Sequence, residues 1–268
     1  MENRTIKQLY TKQNLIDLFR RIGITSGMII ELHVSMSKIG FIIGGAETLI
    51  DALMEVLGYN GTLIMAMQCA ENSEPSRFEY PPIAPELFKL YRKHLPAYSS
   101  LNSETSGMGR VCDNLRRRSK SVISTHPNTA FVAIGKYAKL LCNNQNLDYG
   151  LNELSPLGRL YELKASVLLI GVDYDNLTSL HLSEYKSEVR PIIINGAAYE
   201  EDGVKRFKKY LDLNIDSDDG FTEIGKNLER KGLVAVDKIG NANVKLLRVD
   251  VAVDEGMRYY KDRMKYYL

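Results

Sequence analysis

Tryptophan is absent from the 268 residues, cysteine occurs three times and histidine four. Cys69, Cys112 and Cys142 are odd in number and far apart, without the spacing of a metal site. That argues against a disulfide framework and for buried, hydrophobe-like thiols in a reducing compartment. No two histidines show zinc spacing, so no metal is expected. Nowhere do 18 apolar residues run together, and the N-terminal MENRTIKQLYTKQ is polar and lacks a signal-peptide pattern. A membrane span and secretion are therefore not expected, and a cytoplasmic location is. The net charge of +2 supplies no global field for nucleic acid, so any charged ligand must be read by local clusters. There is no G-x-S-x-G elbow and no cysteine in a nucleophile motif, which disfavours covalent catalysis.

What is present is a chain with 44% hydrophobic residues, enough for a large core, and with no repeat or clear linker. One domain, residues 1–268, is the simplest organisation. The apolar spacing of Thr5 to Ile22 predicts a helix with a break near Asn14. Met28 to Val34 predicts a strand, Ser35 to Gly45 a Ser/Gly loop, Ala46 to Leu57 a helix and Thr62 to Met67 a second buried strand. This strand–loop–helix–strand unit points to an α/β architecture with parallel pairing. Glu71 to Pro85, with four prolines, reads as a long surface loop. Helices are expected at Leu87–His94, Met108–Arg118 (closing on Arg116, Arg117 and Arg118), Ile134–Asn143 and Pro156–Leu163. Further strands are expected at Ala130–Ala133 and Val167–Val172. Then come a strand at Pro191–Asn195, a helix near Val204–Leu211, an acidic turn at Asp212–Asp219, a helix at Phe221–Lys231, strands at Val234–Val236 and Val244–Val249, and a closing helix at Val251–Tyr267.

The most informative segment is ASVLLIGVDYDNLTSLHLSEY, Ala165 to Tyr185. A buried strand runs into a polar turn, and a helical stretch then carries His181 and Glu184 one turn apart on a shared face. A histidine beside a carboxylate at the end of a buried strand is how a fold presents a general base. A solvated ion pair is the plainer alternative. The loop Ser35-Met36-Ser37-Lys38, running on to Gly44-Gly45 and a helix start, carries hydroxyls, a lysine and accessible backbone N–H groups suited to phosphate. Its spacing matches neither the Walker nor the dinucleotide pattern. His33 reads first as a core histidine and His94 as a surface helix end, whereas His126, in Ser-Thr-His-Pro, fits a site or a structural turn equally well. Acidic residues fall in three groups, Glu71 with Glu74, Asp173 with Asp175, and Asp212 with Asp216, Asp218 and Asp219. Each reads as a solvated turn, and gathered together they would suit a polyamine-like cation.

Six blocks, taken in order, resemble the aminoglycoside 3-N-acetyltransferases: Leu32–Gln68, Ser106–Arg110, Ser124–Gly135, Glu153–Leu163, Leu168–Tyr185 and Lys238–Val249. The Thr178–His181–Glu184 block is the specific one. The resemblance implies a layered α/β/α fold with a central mixed, largely parallel sheet, distinct from the histone-acetyltransferase-like type, and acetyl transfer from acetyl-coenzyme A to an amine. It implies coenzyme contacts from Ser35, Ser37, Lys38, Gly44, Gly45 and Thr178. His181 becomes the base, supported by Glu184 and by a carboxylate of the later acidic segment, Asp212 first. It also implies a possible homodimer. Ile123 stands where the family usually has arginine, Ala66 where proline is usual and Leu177 where asparagine is common, changes that bear on the acceptor more than on the reaction. Other readings are the same chemistry on a small metabolic amine, a coenzyme A-binding protein without transferase activity, and a hydrolase.

Overall fold

The computed structural model describes residues 5–215 and 220–264. Its centre is a seven-stranded sheet. Along the chain the strands are β1 (Leu9–Tyr10), β2 (Ile29–Val34), β3 (Phe41–Ile42), β4 (Thr62–Gln68), β5 (Val122–Ile123), β6 (Thr129–Gly135), β7 (Ser166–Ile170), β8 (Ile192–Glu201), β9 (Val204–Leu213), β10 (Ala235–Ile239) and β11 (Ala242–Arg248). The large sheet has the order β10-β11-β7-β2-β4-β6-β5. Within this sheet only β4, β2 and β7 pair in parallel among the described residues, with Ile29 opposite Thr62 and Val34 opposite Ile170. β4 and β7 are nearly continuous hydrophobic runs, as strands covered on both faces are, and β2 departs from this at Glu31 and His33. Antiparallel strands extend the sheet on both sides, so it is mixed, with parallel pairing confined to its middle.

Helices cover both faces. They are α1 (Lys12–Arg21), α2 (Met36–Ile39), α3 (Gly45–Leu57), α4 (Phe88–His94), α5 (Gly109–Arg116), α6 (Ala138–Cys142), α7 (Pro156–Glu162), α8 (His181–Ser187), α9 (Phe221–Arg230) and α10 (Val249–Met264). Leu15 and Phe19 of α1, Leu49 and Leu53 of α3, and Leu115 of α5 pack on Ile30, Leu32, Leu63 and Met65. On the other face Leu160, Leu182, Phe221, Leu228 and Val253 pack on Val167, Leu169, Ile64 and Ala66. Alternate residues of each central strand therefore feed separate cores, and the layering is α/β/α.

Three sequence expectations fail for local reasons. The first helix begins at Lys12, not Thr5, because the Thr11 hydroxyl caps Asn14 N–H while the Asn14 side chain accepts from Thr11 N–H. The residues before it form β1, which pairs with β3. The stretch expected as a helix near Val204–Leu211 is β9, antiparallel to β8 over ten residue pairs. The deciding signal is Asp202-Gly203, both at positive φ, a dipeptide that builds a tight hairpin turn. The segment 134–143 is strand through Gly135 and helix only from Ala138. Asp216, Asp218, Asp219 and the end of the closing helix beyond Met264 lie outside the described residues.

The hairpin β8–β9 stands apart from the main sheet. It is pinned by Asn72, whose side chain bonds both N–H and C=O of Ala198, by the Tyr210 hydroxyl on Asn128, and by Asp148 on Leu211 N–H. Gly171, immediately after β7, is the tightest join between sheet and Ser/Gly loop. A Cβ there would lie 2.7 Å from Lys38 Cβ and 3.1 Å from the Ser35 carbonyl, and its φ is +66°. Gly171→Ala is expected to destabilise the fold by about 1–3 kcal/mol in denaturant titrations. An unchanged midpoint would show that the turn yields freely.

Candidate active site

After Gly171 the chain makes two short 3₁₀ turns, Tyr174–Asn176 and Thr178–Leu180, and enters α8 at His181. Asp173 anchors the first turn by accepting Tyr174 N–H and the Lys245 ammonium. Leu177 and Leu180 are fully buried and press the second turn onto the sheet. His181 is thus delivered on rigid backbone. Its Nδ1 lies 2.6 Å from Glu184 Oε2, and the ring packs on Phe221, the first residue of α9, with centroids 5.0 Å apart.

Glu184 has no solvent exposure, and its second oxygen accepts Arg190 Nε at 2.6 Å. A buried carboxylate needs such partners, since an unpaired one costs several kcal/mol. Because Nδ1 faces a carboxylate, it carries the ring proton, and the Nε2 lone pair is left free. Nε2 has no hydrogen-bond partner among the described residues, and the side chain keeps 7% exposure. Arg190 was not singled out in the sequence. It follows α8 by three residues, past Glu188 in the left-handed region, so local spacing hides it.

Asp212 is used elsewhere than expected. Asp212 Oδ1 accepts the Tyr185 hydroxyl and Leu213 N–H, and burial raises its pKa. It braces α8 from the hairpin, and the carboxylate against His181 is Glu184. The other acidic groups do not converge either. Glu74 is buried against Arg92, and Asp173 pairs with Lys245. Glu71 lines a cavity of about 270 Å³ with Glu104.

A cavity of about 380 Å³ opens where β2 and β4 end, the place where α/β sheets take ligands. Its wall includes His33, Ser35, Met36, Arg110 and, from the segment leading to His181, Val172 and Asn176. Ser35 Oγ and Ser37 Oγ are 3.1 Å apart, and Ser35 N–H is fixed by the Ile170 carbonyl. Lys38 is exposed beside them, and Gly44 and Gly45 begin α3 without reaching the cavity wall. Thr178 is buried in the second turn. Opposite the Ser/Gly loop, Gly107 and Gly109 flank Met108, and a Cβ on either would meet nothing within 4 Å, so backbone and the Arg110 guanidinium are open to an anionic ligand. Of the triple arginine, Arg116 is buried on the Ser103 carbonyl and Arg118 ties α5 to Asp51 of α3.

A larger cavity, about 600 Å³, lies under the hairpin between Tyr98–Ser100, Ile123–Pro127 and Tyr199–Glu200. His126 borders it but is structural. Nδ1 accepts Asn128 and Thr129 N–H, and Nε2 faces the Leu147 carbonyl. The cysteines are buried and free, and burial pushes Cys69 up to about 11 and Cys112 and Cys142 up to about 12, which leaves none as a nucleophile. No helix among the described residues is long and apolar enough to cross a membrane, and no three metal-ligating side chains gather there.

The family model for aminoglycoside 3-N-acetyltransferase matches residues 32–261. This chain belongs to the aminoglycoside 3-N-acetyltransferase family. It is thereby an acyltransferase, as the sequence blocks implied. It is 36% identical over 251 residues to the SPbeta prophage-derived aminoglycoside N(3')-acetyltransferase-like protein YokD of Bacillus subtilis, covering 93% of this chain and 92% of that one. The YokD crystal structure superposes with a TM-score of 0.91 at 35% identity, over 95% of this chain and 94% of that one. Aminoglycoside N(3)-acetyltransferase VIII of Streptomyces fradiae is 30% identical over 95% of this chain and 93% of its own. The structure of AAC-IIIb binary with CoASH shares the fold, with a TM-score of 0.85 at 24% identity over 96% and 98% of the two chains.

Burial lowers the His126 pKa from the ordinary value of 6.5 to about 4. The folded state resists protonation of this ring, so its contribution to stability is complete above about pH 6.5 and lost as pH falls toward 4, about 3 kcal/mol in all. Urea titrations from neutral to about pH 4 are expected to show a shallower acid loss in His126→Asn than in the parent protein. Equal slopes would mean the ring protonates without cost.

Proposed function

We propose that this protein transfers the acetyl group of acetyl-coenzyme A directly to an amine, the 3-amino group of an aminoglycoside being the favoured acceptor, with His181 as general base. The observation that carries the reading is the His181–Glu184–Arg190 chain at the end of β7. Acetyl-coenzyme A supplies an acyl group activated as a thioester. The residues around the 380 Å³ cavity suit its carrier. On the wall the Ser35 hydroxyl and Arg110 offer donors to phosphate and amide oxygens, with the Ser37 hydroxyl and Lys38 beside Ser35 and the α3 start at Gly44–Gly45 outside the wall, and the inner wall is apolar. Thr178 follows Asn176 of that wall by two residues and precedes His181 by three. The solved coenzyme complex of AAC-IIIb, a protein of this fold, supports the assignment.

The acceptor must reach the thioester as a free amine, because an ammonium nitrogen has no lone pair. His181 Nε2 takes the amine proton as the new C–N bond forms. The imidazolium produced lies on Glu184, which fixes the tautomer beforehand and balances the charge afterwards, the role a carboxylate plays behind the histidine of a serine-protease triad. Arg190 holds that carboxylate in register through the bond to its second oxygen. Asp212, through Tyr185, steadies the helix that carries both residues.

Ile123, in the place usually taken by arginine, borders the larger cavity, and Ala66 borders the smaller one. These changes favour a second reading with the same chemistry and a different, smaller amine. Free-thiol release measured across several aminoglycosides and small polyamines separates the two. In that assay His181→Ala is expected to lower kcat by about 100- to 10,000-fold while acetyl-coenzyme A binding stays within a few-fold. An unchanged kcat would remove His181 from the mechanism.

A further inference from the structure

A second histidine is backed by a buried carboxylate. His33 follows Glu31 by two positions on β2, so both project from the same face of the sheet. Glu31 is fully buried, and its Oε2 accepts the Ser179 hydroxyl. Its Oε1 lies 3.2 Å from His33 Nε2, a charge contact without hydrogen-bond alignment, and neither of those two atoms has a hydrogen-bond partner among the described residues. A carboxylate in the middle of a sheet is costly to bury, and a hydrocarbon would pack there more stably. The His33 ring is also on the wall of the 380 Å³ cavity, 10% exposed, and its Nδ1 has no hydrogen-bond partner among the described residues. Ser179 is two residues from His181, so one buried carboxylate joins the cavity wall to the turn that delivers the base.

The inference rests on reading that cavity as the seat of the coenzyme arm. When the amine displaces the coenzyme, the C–S bond breaks and its electron pair stays on sulfur. The inner wall there is apolar, with Leu32, Met65 and Val111. A thiolate among such groups is disfavoured, as the neighbouring Cys112 shows, its thiol pushed up to about 12 by burial. The sulfur must therefore gain a proton as it leaves. The polar groups on the wall are the Ser35 hydroxyl, the Asn176 amide, the Arg110 guanidinium and His33. Only an imidazolium gives up a proton readily near neutral pH.

We propose that His33 is a further catalytic residue, the general acid that protonates the departing coenzyme sulfur. The amine proton passes to His181 Nε2 as the C–N bond forms, and the His33 Nδ1 proton passes to sulfur as the C–S bond breaks. The products are the amide and the free thiol, and solvent restores the two rings. Glu31 is the counter-charge behind the imidazolium and Arg110 the other charged group on the cavity wall. The remaining neighbours, Ser35, Asn176 and Ser179, are neutral.

The test compares acetyl-coenzyme A with its selenium analogue, whose selenol leaves as an anion without needing a proton. His33→Gln is expected to lose about 100-fold in kcat with the thioester and to recover most of it with the selenoester. Loss with both donors alike, or no loss with either, overturns the proposal. Glu31→Gln, which keeps the ring and an acceptor for Ser179, is expected to show a smaller loss with the same recovery, and provides the comparison if His33→Gln does not fold. In histidine-labelled nitrogen NMR, free coenzyme A is expected to shift the His33 Nδ1 signal of the parent protein. Coenzyme binding that leaves Nδ1 unmoved overturns the role of His33 alone. Failure to bind coenzyme A at all, by calorimetry, overturns the cofactor reading itself.

Discussion

Glu184 is an ionic group sealed from water at the join of α8 and the sheet, and its two oxygens are divided between an imidazole and a guanidinium. The division sets the rest of the site. With Arg190 on one oxygen, the other is free to aim at His181 Nδ1, so the ring is oriented, its tautomer chosen and its Nε2 left bare. Removing either partner would strand a buried charge, a loss of about 3–5 kcal/mol in comparable pairs. The surrounding structure serves to hold this group dry and in place: Phe221 against the ring, Tyr185 and Asp212 bracing the helix, and Leu177 and Leu180 seating the turn before it.

The sheet explains why the segment leading to this group borders a cavity. Three parallel strands end on the same side, and their loops must leave together. The Ser/Gly loop departs from β2 and the segment bearing His181 from β7. The two are neighbours because β2 and β7 pair, with Ser35 N–H bonded to the last carbonyl of β7. Glu31 and Ser179 add a second tie between the same two elements within the buried layer. The flanking antiparallel strands widen the platform, and the β8–β9 hairpin closes over the neighbouring loops to form the larger cavity.

Local regularity made much of this legible. The runs in β4 and β7 are hydrophobic with little alternation, which marks strands buried on both faces, and α3 and α9 carry apolar stripes of helical period. His181 and Glu184 share a helix face, so their contact follows from a spacing of three. The apolar positions of lysine-rich β9 also fit a helix, and the Asp-Gly turn before it is what marks a hairpin strand. Asp212 stands at the head of an acidic run, which says nothing of its partner. Its true partner, Tyr185, is 27 residues away and meets it only because the hairpin folds back over α8.

The sequence by itself determined the architecture, the family and the histidine–carboxylate pair, because each is written in short-range spacing or in motifs whose order survives along the chain. Tertiary structure alone decided which carboxylate serves which ring, that Arg190 locks Glu184, that His126 is a turn support, and that Glu31 lies behind His33 at the cavity. Those relations depend on the pairing of β2 with β7 and on how the hairpin docks. Burial, which converts an ordinary acid or imidazole into one with a fixed partner and a single role, exists only after those layers have closed.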